Sequence, residues 1–186
     1  LSRLADGLLH SDGTALACSD SDLIDETGAR VGWTAWERMG VGRKKLRTLR
    51  EKPFGLLLHG PCITGMTMMF RADLRSRALP IPEGWPHDAW IAMVASIVSD
   101  IKVIPDCLSG YRVHPNQLTY VPASGRKPWE PLAMRSARYL EGARRYQKAI
   151  ERVRRWGDDL PTMDAIRHLD GKAGFMLARS RIYQSR

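Results

Sequence analysis

His87 and Asp88 stand between a proline-rich stretch, Pro80 to Pro86, and an apolar run, Ile91 to Val98. A carboxylate held at the mouth of a helix, beside a rigid loop, is placed to act as a general base. The structural alternative is that Asp88 only caps the helix, accepting a backbone N–H that the first turn leaves orphaned. Trp85 and Trp90 flank the pair in the sequence. An aromatic on each side suits a platform for a sugar ring and would partly desolvate the base. A second concentration of polar chemistry runs from Gly110 to Gln117. There the paired donors of Arg112 fit phosphate oxygens, and a neutral His114 is a competent metal ligand.

Two further stretches are open in meaning. Gly60 and Gly65 bracket an apolar segment, and Gly65 would let the backbone approach a ligand closely; a plain strand with a lead-in turn fits as well. Asp20-Ser21-Asp22 offers two carboxylates one residue apart, the oxygen ligands that hard divalent cations want. Turn and capping roles are the commoner use of such a cluster.

The elements that would position these groups follow from periodicity. Leu1, Leu4, Leu8 and Leu9 fall on one face of a short N-terminal helix. Thr14–Cys18 reads as a buried strand, and the turn chemistry after it leaves Gly28 free to take a positive φ. Residues 31–42 read as a loop and 43–52 as an exposed basic helix closed by Pro53. A strand is expected over 66–70, a helix over 88–98, and two short strands over 102–104 and 108–112. Alternating strands and helices favour an α/β layer arrangement. Beyond Pro128 the pattern is purely helical, with a break at Gly157 and a second helix from about Thr162. The expected organisation is an α/β domain over 1–125 followed by a two-helix appendage over 126–186.

Composition narrows the class. A chain of 186 residues, 44% hydrophobic, can bury a real core. Residues 126–186 hold 15 Lys and Arg against 7 Asp and Glu, so nearly all of the net charge of +9 lies in the last third. Such a region suits anionic headgroups or nucleic acid, and a solvated basic face serves equally. Cys18, Cys62 and Cys107 form neither a metal-knuckle pattern nor a disulfide framework, as befits a reducing cytosol. Neither a signal peptide nor a membrane span is legible.

Taken in order, five segments resemble the C-terminal part of family 2 glycosyltransferases with a GT-A, Rossmann-like fold, in the bacterial rhamnosyltransferase-like subgroup. They are ALACSDSDLIDETG, ITGMTMMFRADL, LPIPEGWPHDAWIAMVAS, VIPDCLSGYRVHPNQ and HLDGKAGFMLARSRI, spanning Ala15 to Ile182. The resemblance implies inverting transfer of a sugar from a nucleotide-sugar donor to a glycan or lipid-linked acceptor. Asp88 matches the catalytic carboxylate, and His87 precedes it in this subgroup. Thr64, Gly65 and Met66 match the segment that lines the acceptor and donor sugar. His114 matches a histidine that helps hold Mg²⁺ or Mn²⁺ on the nucleotide diphosphate, and Arg112 would steady the diphosphate. The family's nucleotide-binding half and its acidic metal motif precede these segments. Asp20 and Asp22 match a later strand end, so they are expected to be a look-alike of that motif. The chain, which begins with Leu, is therefore expected to be an incomplete GT-A enzyme, inactive alone, cytoplasmic, with peripheral contact to the inner face of an anionic membrane through its basic helices.

Two rivals stand beside this. A metal-dependent phosphohydrolase built on His87 and Asp88 would need further histidines in ligand patterns, which His10, His59 and His168 do not form. A non-enzymatic basic module would bind a membrane surface or nucleic acid through the terminal helices, but they lack interleaved exposed aromatics for stacking on single strands, so no nucleic acid partner is expected.

Overall fold

The structure is a computed structural model that describes residues 1–114 and 130–184. It is mixed helix and strand, in two compact units. One comprises Leu1–Leu79 with Pro86–Val121, the other Pro80–Trp85 with Pro122–Arg186. The proline loop thus belongs with the terminal helices, and the sequence boundary at 125/126 lies outside the described residues.

The first unit is built on one long strand. After α1 (Ser2–Leu9) comes β1 (Thr14–Ile24), most of whose residues are buried. A turn with Gly28 at φ +92° leads to β2 (Arg30–Thr34), then α2 (Ala35–Arg38), α3 (Arg43–Glu51) and α4 (Pro53–Leu57). A 3₁₀ turn over Gly65–Thr67 precedes β3 (Met68–Phe70), and α5 (Arg75–Ala78), α6 (His87–Val98) and β4 (Asp100–Arg112) follow. β4 pairs parallel with β1 along its whole length, from Thr14↔Asp100 to Ile24↔Arg112. β2 and β3 pair antiparallel with the carboxyl and amino halves of β1, at Asp22↔Thr34 and Cys18↔Met68. Since β4 occupies one edge of β1, both must share the other. The sheet is open and mixed, with β1 at its centre.

That central place explains three differences from the sequence expectations. The strand does not stop at Cys18: Ser19 to Ile24 continue it, because pairing on both edges satisfies their backbone. The two short strands expected over 102–112 are one, its register shifting near Pro105, which has no N–H to give the ladder. The expected loop over 31–42 instead contains a hairpin strand and a helical turn. Thr34 caps that turn by accepting Glu37 N–H at 3.1 Å, while Glu37 accepts Thr34 N–H at 2.9 Å. The signature Thr-x-x-Glu was present in the sequence.

Packing follows the two-residue alternation of the strand. Ala17 and Ile104 meet Leu4 and Leu8 of α1, with Met69 and Leu108 against them. Leu1 and Leu9, expected on the same helical face, are exposed. Leu16 and Cys18 point to the other face and are equally buried, and α6 packs against β1 and β4.

The second unit is an antiparallel pair, α7 (Leu132–Arg154) and α8 (Leu160–Gln184), joined through Gly157 at φ +118°. Small residues let the helices approach. Gly142 is buried, and a methyl group there would lie 2.6 Å from Met176 Sδ. Ser136 and Ser180 hydroxyls meet at 2.9 Å. The proline loop is held to α7 by Trp85, whose indole N–H donates to Arg145 O at 2.9 Å, and by the ion pair of Glu83 with Lys148.

Candidate active site at the mouth of α6

A helix that feeds a parallel strand begins at the carboxyl end of the sheet, where ligands of open α/β sheets collect. α6 leads into β4 in this way, so its first turn lies at the carboxyl end of the β1–β4 pair. A cavity of about 540 Å³ lies at the other end, among Gly13, Thr14, Arg71 and Ser99. One of its charged groups is already committed: Arg71 donates to Thr14 O and Leu8 O at 2.8 and 2.6 Å.

α6 begins one residue earlier than the sequence suggested. Pro86 is its N-cap, at φ −60° and ψ 135°, and no side chain caps the first turn. Asp88 is therefore not the cap. It is a half-buried carboxylate inside the first turn, where the helix dipole favours negative charge. Asp88 Oδ1 accepts Ala89 N–H at 2.7 Å, and Oδ2 accepts Gly65 N–H at the longer distance of 3.3 Å. One oxygen is thus anchored, and the other is held more loosely.

Gly65 opens the 3₁₀ turn behind Thr64, which is extended at φ −107° and ψ 149°. Thr67 Oγ1 donates to Thr64 O at 3.0 Å and lies 3.0 Å from Thr64 Oγ1, so the turn is locked from within. Met66 is exposed. The imidazole of His87 lies over Gly65: a methyl group added there would sit 2.6 Å from His87 Nε2. Because His87 is exposed and can swing outward, Gly65→Ala is expected to cost the fold no more than about 1 kcal/mol. The change should still move the His87 ring resonances in an NMR spectrum, and an unchanged ring would contradict the close packing.

The structure brings together Thr64, Gly65, His87 and Asp88, which are up to 24 positions apart in the chain. It treats the other predicted residues differently. Trp90 is fully buried, its indole N–H donating to Ala78 O at 2.8 Å, so it offers no face to a sugar. Trp85 belongs to the second unit, edge-on to Tyr146 at 5.3 Å and under the Arg145 guanidinium at 5.0 Å. Arg112 closes β4, and its Nη1 donates to the carbonyls of Asp25 and Glu26. It thereby holds the turn in which the Thr27 hydroxyl, ahead of three backbone N–H groups, keeps the Asp25 carboxyl below the usual range. His114 follows β4, half-buried, and residues 115–117 of that stretch lie outside the described residues.

Asp20 and Asp22 are built into the fold. Asp20 is buried, and its Oδ1 accepts Ser21 N–H and Trp36 N–H at 2.8 and 3.0 Å. Asp22 pairs with Arg30 at 2.8 Å. Trp36, which the sequence did not single out, links this strand to the turn: its indole N–H donates to Cys62 O at 2.9 Å, just before Thr64. Asp20→Ala would orphan two buried N–H groups and is expected to cost about 2 kcal/mol in urea unfolding, with Asp20→Asn costing less. Equal effects of the two would refute the hydrogen-bonding role.

Among the described residues no group of three or more His, Cys, Asp or Glu side chains is placed to hold a metal ion. His114 is thus not part of such a group. His10, His59 and His168 each donate Nδ1–H to the carbonyl four residues back. The cysteines are free thiols and weak nucleophiles at neutral pH. Burial pushes Cys62 up to about 11. Burial first, then the Asp20 and Asp22 carboxylates, pushes Cys107 up to about 11.

No family model, no curated protein and no solved structure matches the chain. No helix among the described residues is long and apolar enough to cross a membrane.

Proposed function

We propose that the chain is the acceptor-side part of a GT-A glycosyltransferase of family 2, transferring a sugar with inversion from a nucleotide-sugar donor to a glycan or lipid-linked acceptor at the cytoplasmic face of a membrane. The observation that carries the proposal is the pairing of Asp88 with Gly65 across 23 positions. Two segments singled out separately by the resemblance meet through a carboxylate oxygen, with His87 packed over the same glycine.

The chemistry this arrangement supports is one displacement. Asp88 Oδ2 takes the proton of the acceptor hydroxyl as that oxygen attacks the anomeric carbon. The bond from that carbon to the diphosphate breaks, and the nucleoside diphosphate leaves with the electron pair. Ala89 N–H fixes Oδ1, so Oδ2 is directed without being rigidly held. Gly65 leaves the turn bare of a side chain, so an acceptor can approach Oδ2 closely. His114 would serve the diphosphate side together with Arg112, whose Nη1 is taken by the Asp25 and Glu26 carbonyls so that its other N–H groups would have to reach the phosphate. Mg²⁺ or Mn²⁺ would supply electrophilic charge there when bound.

A transfer assay on the full-length gene product, run over a panel of nucleotide sugars with glycan and lipid-linked acceptors, tests the proposal. Transfer from one donor that requires Asp88 supports it. Absence of transfer from every donor, with Mn²⁺ and Mg²⁺ present, defeats it.

A further inference from the structure

α8 presents two faces that differ in kind. Toward α7 it turns Ala165, Leu169, Ala173 and Ser180, all buried. On the opposite side Gly171, Gly174, Phe175, Ala178 and Ile182 recur at three- and four-residue spacing, and all are exposed. Phe175 leaves 54% of its surface uncovered and Ile182 46%. No charge interrupts the stripe, and cations border it from Lys172 onward, with the exposed Asp170 at its amino end. Lys172 lies on one flank, its ammonium 5.6 Å from the Phe175 ring centroid, and the exposed Arg181 lies on the other. Residues 171–186 hold four Lys and Arg and no Asp or Glu.

We propose that this face of α8 docks on an anionic lipid surface, with Phe175 and Ile182 entering the headgroup boundary and Lys172 and Arg181 reaching lipid phosphates. An in-plane helix of this kind gains from its buried apolar stripe and from cations whose stems lie along it. Each cation near an anionic leaflet adds its own attraction. Charge complementarity selects this occupant over a nucleic acid. A nucleic acid backbone would meet Phe175 and Ile182 where it needs cations. The docking face stands independently of the transfer chemistry.

Flotation of the full chain with phosphatidylcholine vesicles, with and without phosphatidylglycerol, tests it. The protein should float with the anionic vesicles at low salt and not with neutral ones. Phe175→Ser with Ile182→Ser should lower the bound fraction about tenfold or more, with helical content unchanged by circular dichroism. Lys172→Gln with Arg181→Gln should abolish the preference for anionic lipid. The proposal is overturned if the protein does not float at low salt, or if the serine pair floats as the wild type does. It is also overturned if an RNA homopolymer strips wild type and serine variant alike from the vesicles, or if the serine pair dissolves a dimer on gel filtration.

Discussion

If the proposed transfer chemistry holds, Asp88→Asn in the full-length gene product is expected to lower the transfer rate by about 10²–10⁴-fold, the range a positioned base contributes, with affinity for the nucleotide sugar unchanged. The substitution keeps the size and shape of the side chain and removes only its capacity to take a proton. Its structural cost is small but real. Asp88 accepts two backbone N–H groups through different oxygens, Ala89 at Oδ1 and Gly65 at Oδ2. An amide has one oxygen, so one of those donors faces an NH₂ group instead, and the favourable charge at the helix start is lost as well. Together these amount to about 1–2 kcal/mol, a shift of a few degrees in melting temperature and far short of unfolding. The two roles then separate cleanly. A base shows as lost turnover at saturating donor and acceptor with donor binding intact. A purely structural carboxylate shows as a loss of stability and binding in step, with Asp88→Asn retaining turnover per folded molecule. Retention of more than about a tenth of the wild-type rate would remove Asp88 from the chemistry.

The sequence made this pairing partly legible. That a helix starts near residue 87 was plain from the apolar run and the prolines before it. What periodicity could not supply was Gly65, because contact across 23 positions is fixed by the sheet. β3 must run back along β1 from Met68↔Cys18, which carries the turn before it toward the carboxyl end, where α6 begins. The resemblance named both segments; only the fold puts a hydrogen bond between them. Asp20 shows the opposite case. Two acids one residue apart suggested a turn or a metal, but they sit inside an eleven-residue strand whose edges are both paired. A buried carboxylate there is stable because Ser21 and Trp36 N–H groups satisfy it. The α2 turn differs from the expected loop for a simpler reason: the capping box at Thr34 and Glu37 is in the sequence, but the glycines and aromatics around it suggest a loop.

Trp90 carries the other large expected effect, and it tests where sequence neighbours part company in space. Residues two apart on an α-helix point about 200° from each other, so Asp88 at the mouth of α6 sends Trp90 into the core. There it is fully buried, the largest of the side chains so enclosed, with its N–H on Ala78 O. Trp90→Ala is expected to cost about 3–5 kcal/mol from the cavity alone, and the stranded carbonyl of Ala78 adds to it. Against a typical margin of about 5–15 kcal/mol for a domain, the variant should be close to unfolding at physiological temperature, read as a large fall in the urea midpoint. Trp90→Phe separates core from platform. It fills most of the volume and removes the donor, so the unfolding free energy should fall by about 1–2 kcal/mol, with a correspondingly lower midpoint, while the KM for acceptor stays unchanged. A sugar platform would show the reverse, an acceptor KM that rises with the midpoint unmoved. That outcome would require Trp90 to reach the surface, which its position on the buried side of α6 forbids.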